Sequence, residues 1–367
     1  MKICFIASTR AESIHEPRWI QWFINRGHDV HVITPTHDDI KGAKIYPIGN
    51  NKEGSLFNFI NKIVQTRKLV KKIKPDILHA HYVFGPGVFG AFSGFHPFIL
   101  TAMGSDILVD PSLKLKKIAV KHTLKKADAI TCDACHLKES MEKLGADDRK
   151  INIIYFGTDT EKFNPKQRSE STRKNLGVFN APTIISSKNL EPIYDIDSLI
   201  KSVPIVLKKV PEAKFIIAGE GSQKAKLKQL AKSLGVSGSV KFIGFIPSDE
   251  FPRYLASADI YVCTSLLDGG LAVATKEAMA CELPVIVTDL DVNTKWVENG
   301  KNGFVVPLKD PKTLAEKIIH LIEHEDVRIM LGEKGRKLVK ENFEYDKEMK
   351  KVENIYEQLV SNHKRRR

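Results

Sequence analysis

Asp268–Asp289 reads DGGLAVATKEAMACELPVIVTD, and this stretch predicts three parts in succession: a glycine turn, a short helix and a buried strand. Gly269 and Gly270 form the turn, with Leu271 closing it. The helix opens near Ala272 and Val273, and the β-branched run 285–288 after Pro284 is the strand. The start of such a helix offers free amides with the positive end of the dipole behind them, and these attract phosphate oxygens. Glu277 falls four residues beyond Val273, on the same face and about 5–6 Å further along. Its carboxylate repels phosphate but accepts hydrogen bonds from ribose hydroxyls. The stretch suits a nucleotide diphosphate laid along it lengthwise.

The same alternation of short β-branched runs and longer amphipathic segments extends outward in both directions, the pattern of parallel α/β sheets. Strands are expected at 3–7, 30–34, 77–81, 98–102, 129–132 and 151–155, and again at 183–186, 215–218, 240–243, 260–263, 285–288 and 304–306. A helix starting around Pro17 carries Trp19, Trp22 and Phe23 on its apolar face and ends at Gly27. Between the two series lies a polar stretch. The expected organisation is an N-terminal domain over 1–165, a linker over 166–182, a C-terminal domain over 183–345, and a C-terminal helix over 346–367. That last helix is expected to pack back on the N-terminal domain and to end in a basic tail. Two similar α/β halves imply a cleft, with ligands beyond the carboxyl ends of the strands.

The chain of 367 residues is long enough for two ordinary domains. No run reaches the roughly 18–20 apolar residues of a membrane span, and Arg10 and Glu12 cut short the apolar start, which reads as a strand and not a signal peptide. Five cysteines, an odd number, argue for reduced thiols in a cytoplasm. The formal charge of +13 favours anionic partners. It is concentrated in KIVQTRKLVKKIK at 62–74 and KLKKIAVKHTLKK at 114–126. Each reads either as the solvated face of an amphipathic helix or as a patch for an anionic membrane surface or acidic acceptor. Nucleic acid is not expected, because aromatics do not interleave with the cations and no nucleic-acid-binding motif is present.

The segments in order are KICFIAS, RGHDVHVIT, KPDILHAHY, TAMGSDI, INIIYFGTDTEKF, FIIAGEGS, KFIGFI, KEAMACELPVIVTD and NGFVVPLKDPKTLAEKI. Together they resemble family-4 retaining glycosyltransferases (glycosyl transferases group 1) over nearly the whole chain. The resemblance implies the GT-B fold, two Rossmann-like parallel-sheet domains facing a central cleft. It also implies transfer of a hexose-type sugar from a nucleotide-diphosphate sugar to a glycan or lipid-linked acceptor, with retained configuration and no metal or other cofactor. The C-terminal domain would take the donor and the N-terminal domain the acceptor, in the cytoplasm or against the inner membrane face.

Residue by residue, the resemblance assigns Glu277 to the ribose, and Ala272 and Val273, after Gly269, Gly270 and Leu271, to the diphosphate. Lys188 would neutralise the leaving diphosphate. Ile243, Gly244 and Phe245 would border the base, with Gly219 of the GEGS turn at the edge of the same site. Asp106 would lie beside the transferred sugar. His81, Met103 and Arg10 are the acceptor or cleft candidates. Several of these have an ordinary structural reading: an ion pair for Lys188, a turn cap for Asp106, turn chemistry for Asp268 and a core histidine for His81.

The chain departs from the family pattern in four places. Gly269 stands where a glutamate is usual, so either the loop has one extra residue or Asp268 has taken over a sugar contact. Met103 replaces a common histidine, Ile193 a second basic residue, and TRAES a double-glycine loop. Two motifs are read as decoys. Cys132-Asp-Ala-Cys135-His136 has redox and haem-attachment spacing, and Asp289-Leu-Asp291 resembles a metal-binding pair, but it ends a buried strand. The rival functional readings are a nucleotide-sugar epimerase of similar fold and a catalytically silent nucleotide-sugar-binding homologue.

Overall fold

The computed structural model describes residues 1–7, 15–35, 40–49, 55–108 and 114–365. The chain divides into two compact units, Met1–Phe156 with Lys347–Arg367, and Gly157–Asp346.

The first unit begins with β1 (Lys2–Ile6), α1 (His15–Asn25), β2 (Asp29–Thr34), β3 (Lys44–Pro47) and α2 (Leu56–Ile73). It continues with β4 (Ile77–His81), α3 (Pro86–Ser93), β5 (Phe98–Thr101), α4 (Ser105–Leu108) and α5 (Lys114–Lys126). β6 (Ala129–Cys132), α6 (Cys135–Lys143) and β7 (Ile151–Ile153) complete the run. The strands form one parallel sheet in the order β3-β2-β1-β4-β5-β6-β7. Its central strands are buried along their length, as a parallel sheet covered on both faces requires. Trp19, Trp22 and Phe23 of α1 are buried, and Gly27 takes φ +77° just past the helix end. β3 is a strand that periodicity misses: it lies at the sheet edge, is nowhere fully buried, and ends on a proline.

The second unit runs α7 (Glu170–Asn175), β8 (Thr183–Ser187), α8 (Ile196–Leu207), β9 (Lys214–Ala218), α9 (Lys224–Ser233) and β10 (Val240–Gly244). Next come α10 (Phe251–Ala256), β11 (Ile260–Cys263), α11 (Val273–Ala280), β12 (Val285–Thr288) and α12 (Asp291–Thr294). The chain then passes through β13 (Phe304–Val306), α13 (Pro311–Glu323), α14 (Glu325–Asn342) and α15 (Tyr345–Arg365). The sheet order is β10-β9-β8-β11-β12-β13, again parallel throughout. In each sheet the order reverses at one place, between β1 and β4 and between β8 and β11. In open α/β sheets such reversals leave a crevice at the carboxyl ends of the strands.

The expected linker over 166–182 is corrected by the structure: it belongs to the second unit. Its polarity is used internally. Arg173 is buried, donates to the carbonyls of Ser257 (2.7 Å), Val178 (3.1 Å) and Ala181 (2.8 Å), and pairs with Asp259 at 3.3 Å. A charged, serine-rich segment therefore reads as a connector while acting as a buried cationic clasp. The chain leaves the first unit at Phe156, before the expected boundary at 165, and re-enters it at Lys347.

Most of α15 thus completes the first unit. Tyr356 is buried, stacks on Phe23 with centroids 4.9 Å apart, and its hydroxyl meets His79 Nδ1. Glu353 accepts from Arg26 Nε at 3.1 Å and lies 2.9 Å from His28 Nε2. Burial works against its charge, yet Lys350, Arg26 and His28 outweigh that and hold its pKa down at about 2.

Candidate functional site

Lys188 follows β8 directly, and Asp268 lies in the loop after β11, its neighbour across the order reversal. Lys188 Nζ reaches Asp268 Oδ1 at 3.0 Å and Oδ2 at 3.3 Å, and stands 5.0 Å from the centre of the Tyr194 ring. Both side chains of the pair are largely buried, 10% and 13% exposed, so the pair is shielded from full solvent screening. Burial disfavours the lysine charge. The Asp268 carboxylate beside it offsets that cost, and its pKa stays above the ordinary lysine value. Lys188 is a fixed cation at any working pH.

Close backbone approach shapes the floor beside it. Gly219 has φ +132°, and a Cβ there would stand 2.1 Å from the Lys188 carbonyl oxygen, so only glycine fits. Its amide donates to the Gly244 carbonyl at 2.7 Å, tying the end of β9 to that of β10. Ile243 is half-buried, Gly244 is buried, and Phe245 is 69% exposed just beyond.

α11 starts where the sequence predicts. Ala272 is its N-cap with non-helical backbone (φ −54°, ψ 140°), no side chain caps it, and the first helical bond runs from the Lys276 amide to the Ala272 carbonyl at 3.1 Å. The first-turn amides have no acceptor within the helix. Glu277, half-buried, lies one turn further on. Gly269 has no positive φ and open space where a Cβ would be, so the loop does not depend on glycine there. Gly270 is half-buried and Leu271 buried. The structure therefore gathers Lys188, Asp268, Gly219 and the start of α11 at one end of the second sheet. The Tyr194 contact was not foreseen. The loop bearing Tyr194 is tied to the end of β11 by Leu266 N to Ile193 O (2.8 Å) and Thr264 Oγ1 to Tyr194 O (2.8 Å), links without a local sequence pattern.

In the first unit, the Asp106 carboxylate accepts from the amides of Val83 (2.6 Å) and Met103 (3.1 Å). Burial raises its pKa against the opposing effect of those bonds. Both oxygens thus hold the loops after β4 and β5 together, which is the capping reading. Met103 is half-buried, its amide used in that contact.

His81 is 1% exposed at the end of β4, with Trp19 at 5.3 Å and Phe5 at 5.7 Å between ring centroids. Among the described residues neither ring nitrogen has a hydrogen-bond partner, and Glu16 Oε1 stands 3.8 Å from Nδ1. Burial pushes its pKa down to about 3, so the imidazole is neutral. Its neighbour His79 is satisfied on both sides, by Tyr356 and by Thr101 Oγ1 at 2.6 Å. Arg10 lies outside the described residues.

Cys132 and Cys135, like the other three cysteines, are free thiols. Burial lifts the Cys132 thiol to about 12, far from the range of a reactive thiolate. Asp289 follows β12 and Asp291 opens α12. Among the described residues no group of three or more His, Cys, Asp or Glu is arranged to hold a metal ion, and no helix is long and apolar enough to cross a membrane.

Comparison with known proteins agrees with this architecture. Residues 167–338 match the family model of glycosyl transferases group 1, and residues 2–134 that of the glycosyl transferase 4-like family. The chain is 26% identical over 338 residues to an uncharacterised glycosyltransferase of Methanocaldococcus jannaschii, covering 90% of each chain. It is 24% identical over 358 residues to the N-acetyl-alpha-D-glucosaminyl L-malate synthase of Bacillus anthracis, covering 92% of this chain and 91% of that one. Among solved structures, Anabaena HepE in complex with UDP superposes with a TM-score of 0.81 at 19% identity, over 98% of this chain and 100% of that one. The chain belongs to the group 1 glycosyltransferases and has the GT-B fold. It is a glycosyltransferase by family.

Proposed function

We propose that this enzyme moves a hexose-type sugar, with retained anomeric configuration, from a nucleotide-diphosphate sugar to a glycan or lipid-linked acceptor. The observation that carries the reading is the pairing of a shielded, permanently charged Lys188 with the uncapped start of α11 at the order reversal of the second sheet. Negative charge grows on the departing phosphate in an oxocarbenium-like transition state, and fixed positive groups at that spot lower the barrier. Lys188 and the amides around Ala272 and Val273 supply them without a metal. Asp268 orients the ammonium group. Glu277 accepts from the ribose hydroxyls a turn further along, and Phe245 offers an apolar surface to the base beside the Ile243–Gly244 backbone.

Retention follows if the acceptor attacks on the leaving-group side and the phosphate takes its proton. The acceptor is received by the first unit, where Asp106 fixes the loops after β4 and β5 and His81 and Met103 stand at their ends. The free thiols suit a reducing cytoplasmic compartment.

The test is a melting-temperature screen of nucleoside diphosphates and their sugars, followed by transfer with the donor that stabilises most. The expected result is stabilisation by one diphosphate series and transfer that survives a chelator. Conversion of a nucleotide sugar to its epimer in the absence of acceptor would overturn the reading, as would activity lost to the chelator and restored by a divalent cation.

A further inference from the structure

The first unit carries an exposed face that is apolar in one part and basic in another. α2 opens with Ser55 as its N-cap and shows solvent a side that changes character along its length. Its first half exposes Leu56 (75%), Phe57 (77%), Ile60 (51%) and Val64 (45%), four apolar side chains at helical spacing. Its second half exposes Arg67, Lys68, Lys71 and Lys72 on the same side. α3 packs against α2 and against α5, so the three helices form one layer. In that layer Phe92 of α3 and Ile118 of α5 are also exposed, and Phe92 stacks on His122 with centroids 4.9 Å apart. Lys117, Lys121, Lys125 and Lys126 of α5 are exposed around them. None of the three helices contains an aspartate or glutamate.

We infer that this three-helix layer is a docking face for an anionic lipid surface, with Phe57, Ile60 and Val64 entering the headgroup boundary and the cations of α2 and α5 lying on the charged headgroups. Two features select that occupant. Cations on helices that carry no acidic residue complement a negative surface, each contributing as it nears the headgroups. The exposed apolar half of α2 needs a partner that accepts hydrocarbon, which a lipid interface does and a phosphate backbone does not. A second copy of the same face would bring like charges together. The inference deepens the acceptor side of the proposed function and rests on that reading only for its purpose. Docking itself is measured without any donor or acceptor sugar, so the two can fail separately.

The full chain is sedimented with vesicles of phosphatidylcholine alone and of phosphatidylcholine mixed with phosphatidylglycerol. Binding is expected only to the mixed vesicles and is expected to weaken with salt. Lys71→Gln with Lys72→Gln should weaken it about thirtyfold. Phe57→Ser with Ile60→Ser should weaken it by about tenfold or more and leave the remainder fully salt-sensitive. These side chains are exposed, so melting temperatures should hold; Val64→Ser alone is the reserve variant if the double one fails to fold. Equal binding to both vesicle types, or binding that neither pair of substitutions changes, would overturn the inference. So would a failure to bind vesicles accompanied by RNA binding that only the lysine variant loses, or by self-association that only the apolar variant dissolves.

Discussion

The carboxyl ends of the two sheets make an instructive contrast, because the strand order around β1 and β4 matches that around β8 and β11. At the end of the second sheet, charge is kept. Lys188 and Asp268 pair at 3.0 Å, glycines let the strand ends approach, and a helix starts without a cap. At the end of the first, the two histidines are kept neutral. His79 and His81 are buried, their pKa values driven down by desolvation, with aromatic rings of Trp19 and Phe5 around them. One topology has been finished twice, once around a lysine–aspartate pair and an uncapped helix start, once around buried imidazoles and aromatic rings. Fold alone therefore does not assign chemistry; the side chains at the strand ends do.

The sharpest way to break the contrast is to remove the cation. Lys188→Ala is expected to lower turnover about 10²–10³-fold while the protein still folds, since a fixed donor to developing negative charge is typically worth that much. Steady-state rates with the donor found by the melting screen check it, and wild-type kinetics in this variant would displace the site. Adding Asp268→Asn to Lys188→Ala separates two effects. If the unpaired carboxylate repels the diphosphate, the double variant should recover donor affinity relative to the single one.

Glu277→Ala should cost about 10- to 150-fold in donor use, the equivalent of a lost charge-assisted hydrogen bond of roughly 1.5–3 kcal/mol. The loss should shrink for a donor lacking the ribose hydroxyls. An equal loss with that donor would mean that Glu277 does not hold the sugar ring of the nucleotide.

The mildest effect belongs to the first sheet. His81 has a folded pKa near 3 against an ordinary value of about 6.5, so the unfolded chain binds the extra proton first. Its contribution to stability is complete above the ordinary value and is lost as pH falls from there toward 3. His81→Phe should flatten the acid slope of unfolding free energy over that window, by up to about 1.4 kcal/mol per pH unit. Denaturant titrations at several pH values measure it. An unchanged slope would show that His81 is solvated and charged when folded, and would erase the contrast.

Much of this was legible in the chain. The buried strands announce themselves as β-branched runs because a parallel sheet covered on both faces needs apolar residues at every position. The start of α11 was legible too, since a turn followed by small residues leaves amides uncapped. β3 was not, because an edge strand need not be apolar throughout, and Arg173 was not, because a buried arginine and a solvated one look alike in sequence. Asp106 and Asp268 were ambiguous for a related reason. Whether a carboxylate caps a loop, grips a lysine or faces a ligand depends on groups far along the chain: Asp106 bonds the amide of Val83, and Asp268 meets Lys188.

Sequence by itself determined the two parallel α/β halves, the family, and the start of α11, since period, turn chemistry and motif order are local properties. Only tertiary structure decided that 166–182 belongs to a domain, that Lys188 is held by Asp268 against Tyr194, and that His81 is a buried neutral ring. Those facts depend on desolvation and on contacts between residues distant in the chain, and both exist only once the strands have been brought side by side.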